Sequence, residues 1–288
     1  MTLPAISTSH HRLALLSLDL APHLAEALGL DLSLAENEVW LKQLLEILTT
    51  SLAPVASGVV LDPIYSYDLN LAPEMAKTGL LLRLEKLALE TDPLSIPSLI
   101  PNWGVANIKQ HYAWAKFELF YHPAEAKALE KKQLLAELAD YCKFEGIGLL
   151  LKLKLFSLTD QPLTPIEFQD AQLTAVRELA KLSQVMALEH PLDALACATL
   201  TAELDQPWIL AVTGAKTYPE IKDQLRMALD NGAQGFLIAE TLWPELYQLK
   251  SQDQHSLDLP AMRQLIQTTV RDRFIELTRI ADESGVVA

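Results

Sequence analysis

Apolar residues recur along this chain in two rhythms. Short blocks rich in leucine, valine and isoleucine fall at 13–20, 58–63, 79–85, 115–121, 147–156, 185–191, 208–214 and 235–243. Between them run longer stretches with apolar positions three and four residues apart, clearest over 36–52, 124–145, 165–182, 218–231 and 261–283. The first rhythm predicts strands and the second amphipathic helices. Asp230, Asn231 and Gly232 supply a helix stop. Strands alternating with helices predict parallel βα units, and eight of them in 288 residues match the size of a (β/α)8 barrel, an α/β fold. A doubly wound open sheet is the alternative, but no GxGxxG or GxxxxGK[ST] loop follows the first strand. The first forty residues and the segment 88–104, with Pro93, Pro97 and Pro101, read as irregular connections. Residues 1–12 read as a flexible lead-in to one domain spanning 1–288.

Composition narrows the partners. Half the residues are apolar, enough for a large core, while 37 acidic against 23 basic side chains give a net charge of −14. That charge opposes nucleic acid and anionic membrane surfaces. Cys142 and Cys197 fall in helical stretches, too few and too scattered for a disulfide framework or a zinc site. A reducing cytoplasm is the expected setting. The apolar run at 12–21 is short and broken by Asp19, unlike a signal peptide, and no run reaches the roughly 18–20 apolar residues of a membrane span.

Charges inside the strand blocks change the picture most. Barrel strands are covered on both faces, so an ionisable group within one costs free energy unless paired or used. Asp19 and Asp62 end the first two strands, and Glu240 ends the eighth. Lys116 and Glu118 share a face of the fourth, as do Lys152 and Lys154 of the fifth, while Glu189 follows Ala187 by two on the sixth. Because Leu151, Leu153 and Leu155 suit a helix-facing layer, the lysines are expected to face the barrel axis near its C-terminal mouth, where barrel sites form. A ligand site and a self-satisfied ion network are both compatible with this pattern.

Several segments together resemble the class I tagatose-1,6-bisphosphate aldolase family, which includes sulfofructosephosphate aldolases. They are VVLDPIY (59–65), GLLLRLEK (79–86), PNWGVANIKQ through EGIGLLLK (101–152), ALEHPL (187–192) and GAQGFLIAETLW (232–243). The resemblance implies an aldolase-type barrel and places the family's strand-two Asp and Tyr at Asp62 and Tyr65 and its strand-four lysine at Lys116. Other positions depart. Asp19 is followed by Leu20, Ala21 and Pro22 rather than Gln-Arg-Gly. The family's acid/base glutamate falls at Lys152, and its imine-forming lysine at Ala187, although Glu189 is kept. Its phosphate-binding Ser-Ala-Gly and Gly-Arg fall at Val212-Thr213-Gly214 and Ala239-Glu240, with Lys216 as partial compensation.

The expectation is therefore a divergent barrel without the family's Schiff-base chemistry, binding a sugar, a sugar phosphate or a protein partner, including a second copy of itself. The alternative is a carbon-carbon lyase using a relocated nucleophile, Lys116 or Lys152, with Glu118 or Glu189 as acid/base. Its premise is that neighbouring lysines lower one another's pKa. The remaining candidate contacts are Asp19, Asp62, Tyr65, Lys154, Thr213, Lys216 and Glu240. The seven histidines show no HxxxH or HxH spacing, so neither a metal nor a cofactor is expected.

Overall fold

In a computed structural model, eight parallel strands close into a barrel in sequence order, β1 to β8. The structure describes residues 3–66, 78–87, 92–214, 216–249 and 257–284. The strands are β1 (Leu13–Leu18), β2 (Gly58–Leu61), β3 (Gly79–Arg83), β4 (Trp114–Phe120), β5 (Leu149–Lys154), β6 (Val185–Leu188), β7 (Trp208–Ala211) and β8 (Gly235–Ile238). Parallel strands cannot be joined by hairpins, so each crossover lies outside the ring and shields it from water. The open-sheet alternative is excluded by the β1–β8 ladder, which pairs Leu13 with Gly235 and Leu16 with Ile238.

Helices among the described residues are α1 (Ala21–Leu28), α2 (Ala35–Leu52), α3 (Val105–Gln110), α4 (Ala128–Glu145), α5 (Pro165–Leu179), α6 (Ala194–Glu203), α7 (Tyr218–Asp230), α8 (Leu259–Leu265) and α9 (Arg271–Glu283). No helix among these residues is long and apolar enough to cross a membrane. The starts of α5 and α7 are fixed by local chemistry. Thr164 and Thr217 each accept a bond from the amide three residues on, Glu167 and Glu220 bond back, and a proline opens each first turn. Cys142 on α4 and Cys197 on α6 are both fully buried against the ring.

Three expectations need correction. The first forty residues are not irregular: they carry β1, α1 and the start of α2. The helical stretch 261–283 begins at Leu259 and is interrupted by a π-turn at Ile266–Val270 that buries both end residues. Glu240 does not end β8 but opens a short 3-10 turn beyond it. Ahead of β1, Leu3–Ile6 forms a 3-10 turn, and Ile6 is buried among barrel-interior side chains.

Alternation divides the barrel into two apolar regions. Leu151 and Leu153 face outward into the helix-covered core. Inside, Leu13, Leu15, Val60, Leu81, Leu150 and Ala187 join a separate cluster. One strand position further toward the mouth, the interior changes from apolar to charged.

Candidate functional site

The charged layer follows from strand parity. Lys116 and Glu118 continue the inward series from Trp114, and Lys152 and Lys154 continue it from Leu150. Register then sets the neighbours: Glu118 lies beside Lys152, and Lys152 beside Ala187.

Lys116 is the hub. Its ammonium, 1% exposed, lies 2.8 Å from Asp19, 2.6 Å from Glu85 and 3.6 Å from Glu118. Glu118 also holds Lys152 at 2.8 Å. Ser17 donates to the second oxygen of Asp19. Beside this chain, the buried Arg83 guanidinium pairs with Asp62 at 2.7 Å and donates to the Glu85 carbonyl. Asp62 meanwhile accepts from the Ile64 amide at 2.8 Å, which turns the chain out of β2.

These contacts reverse one expectation. Burial alone would drive the Lys116 and Lys152 ammoniums to lose their protons, but the facing carboxylates outweigh it and hold both pKa values above the ordinary lysine value. The premise of mutually depressed lysines fails because carboxylates interleave the cations. Burial raises the Asp19 carboxyl as well, but Lys116 and Lys152 more than offset it and hold it low. Glu118 is likewise held low against burial, chiefly by Lys152. Burial pushes Glu85 up despite Lys116. One ammonium among three carboxylates leaves Glu85 as the member that keeps a proton most readily.

Above the network lies a cavity of about 640 Å³ at the strand C-termini. Of the three candidate catalytic residues, only Lys152 lines it; Lys116 lies beneath and Glu189 to the side. The Glu189 carboxylate accepts from Thr213 Oγ1 at 3.0 Å and the Leu155 amide at 3.3 Å. Of the other candidates, Glu118, Lys154, Thr213 and Glu240 line the cavity, whereas Asp19, Asp62, Tyr65 and Lys216 do not. The Lys154 ammonium sits 4.9 Å from the Phe120 ring centroid. Lys216 donates to the Thr213 carbonyl at 2.6 Å.

Two central members, Arg83 and Glu85, were absent from the sequence-derived candidates. Their signal was available: they stand two apart in the apolar block 79–85, the same spacing that singled out Lys116 and Glu118, although Glu85 lies two residues past the end of β3. No group of histidine, cysteine or carboxylate side chains among the described residues is arranged to hold a metal.

The fold is a closed (β/α)8 barrel whose interior changes from an apolar to a charged layer toward the strand C-termini. No family model matches the chain. It is 29% identical over 140 residues to a tagatose 1,6-diphosphate aldolase 2 of Enterococcus faecalis, covering 47% of this chain and 42% of that protein. To the protein of the same name from Streptococcus mutans it is 23% identical over 146 residues, covering 49% and 44%. The match thus spans less than half the length of these curated relatives. Among solved structures, an archaeal fructose 1,6-bisphosphate aldolase superposes with a TM-score of 0.65 at 14% identity, covering 96% of both chains. A fructose-bisphosphate aldolase from Slackia heliotrinireducens does so with a TM-score of 0.62 at 12% identity, covering 100% of this chain and 95% of that one.

Proposed function

We propose that this barrel binds a small anionic metabolite at its mouth and does not carry out Schiff-base aldol chemistry. The observation that carries the reading is the pairing of Ala187 with Lys152. Ala187 is fully buried inside the barrel where the resemblance puts the imine lysine, and its methyl has no lone pair. The lysine beside it in register is an ion-paired ammonium with a raised pKa. Attack on a ketone carbon needs the free amine, so Glu118 holds Lys152 in the unreactive form. The fold of the fructose-bisphosphate aldolases and the cavity at the strand ends support a small-molecule ligand. Two buried, unbridged thiols suit a reducing cytoplasm.

One observation favours the lyase alternative. Lys152 lines the cavity, and its direct partner Glu118 is the carboxylate which that alternative names as acid/base. Incubation with dihydroxyacetone phosphate and borohydride, followed by intact-mass measurement, separates the two. The expected result is an unchanged mass. A reduced adduct mapped to Lys152 or Lys116 would establish the relocated nucleophile and overturn the non-catalytic reading.

A further inference from the structure

The cavity wall is divided by charge and polarity. On β5, Lys152 and Lys154 both line it, with Glu118 of β4 as the carboxylate beside Lys152. Glu118 is already within 2.8 Å of Lys152. Lys154 has no carboxylate within salt-bridge distance among the described residues and rests on the Phe120 ring. This wall carries one surplus positive charge. Lys152 keeps further N–H donors beyond the one directed at Glu118.

β1 stands opposite β5 in the closed ring. The lining contributed there is mainly apolar: Leu18, Leu20 and Leu24, joined by Leu45 from α2 and by Trp243 and Tyr247 beyond β8, with Ser17, whose hydroxyl is committed to Asp19, and His23 as the uncharged polar members. Among the described residues, the remaining charges on that rim, Glu26 and Glu240, are acidic and exposed. A sugar hydroxyl set against the leucines would lose its water partners without replacement, which costs affinity. A second phosphate on that side would meet carboxylates instead of a cation.

Resting on the metabolite-binding reading above, we infer that the cavity takes a single-ended anion. Its one phosphate or carboxylate sits against Lys154 and Lys152, and its apolar, preferably aromatic, body lies along the Leu20–Leu24–Trp243–Tyr247 wall. A ligand with phosphates at both ends is excluded by Glu26 and Glu240.

Thermal-shift and calorimetric titration of the whole chain with phenyl phosphate, inorganic phosphate, a hexose monophosphate and a ketohexose 1,6-bisphosphate tests this assignment. Phenyl phosphate is expected to raise the melting temperature, since a ligand selective for the folded form must stabilise it, and to bind more tightly than the others. Lys154→Met should weaken phenyl phosphate about tenfold or more, by loss of a charge-assisted bond. Lys154→Gln serves as a second variant, and the ligand-free melting curves of both report folding. Tighter binding of the bisphosphate or the hexose monophosphate than of phenyl phosphate would overturn the single-ended assignment while leaving metabolite binding intact. Phenyl phosphate affinity unchanged in both folded variants would do the same. Silence across all four probes would overturn both readings.

Discussion

Replacing Lys116 by Met is expected to lower the free energy of unfolding by about 3–5 kcal/mol at neutral pH, the usual cost of removing one partner of a buried ion pair. The cause is what remains. Asp19 at 0% exposure, Glu85 and Glu118 would lose their shared cation, leaving Lys152 in an ion pair with Glu118 alone. The loss should depend on pH. Asp19 has its folded pKa below its ordinary 3.8, and Glu118 below its ordinary 4.5, so their stabilisation is fully present above those values and fades as pH falls through the folded ones. Without Lys116 the carboxyls protonate more readily, and acid then removes the unpaired charges. The gap between wild type and variant should narrow from pH 7 toward pH 4. At the other extreme the raised Lys116 pKa keeps its contribution intact up to its ordinary 10.5 and loses it above. Denaturant midpoints across this range measure both trends; an unchanged midpoint at pH 7, or a gap that does not vary with pH, would contradict the hub role.

Gly235→Ala should be at least as damaging, at about 4 kcal/mol or more. Gly235 sits at φ +150° where β8 closes onto β1. A Cβ there would lie 1.9 Å from the Leu13 carbonyl oxygen and 2.7 Å from its carbon. Those are backbone atoms of the paired strand, so relief requires opening the ladder. Gly104→Ala is the control, since its φ of −168° is ordinary extended backbone and nothing lies within 4 Å of the added carbon. Urea titration monitored by circular dichroism should give Gly104→Ala a midpoint close to wild type and Gly235→Ala a much lower one. Equal midpoints would mean that the closing strand yields.

The order of strands was legible because a parallel barrel buries both faces of each one, leaving compact leucine-rich blocks. Their ends were not. Asp19 and Asp62 extend the apparent blocks, yet each lies one step past its ladder, where Asp62 has begun a turn through the Ile64 amide. Helix α1 was missed although Ala21, Leu24, Ala25 and Leu28 keep helical spacing and Pro22 suits a first turn. The π-turn in 266–270 lies between Ile266 and Val270, whose four-residue spacing is also that of an ordinary helix, so spacing alone conceals it.

For the candidate site, parity within a strand placed Lys116, Glu118, Lys152 and Lys154 on the inward face without any structure. It could not say who faces whom across strands. That depends on register, which puts Glu118 between the lysines and reverses the expected direction of their pKa values. Thr213 and Glu240 line the cavity as motif positions beyond their strands, whereas Asp62 and Tyr65 do not, because Arg83 draws Asp62 into the floor.

The two buried thiols give this barrel its own opening clocks. Burial pushes Cys142 up to about 12 and Cys197 up to about 11, and neither sulfur is reachable in the folded state. An alkylating reagent should therefore label them only through transient opening, at rates far below that of a free thiol. Cys142 reports on α4 and Cys197 on α6, two separate parts of the helical shell. Mass-resolved labelling under native conditions should show both appearing together if the ring opens as one cooperative unit; a lead by either would mark the arc of the barrel that unzips first.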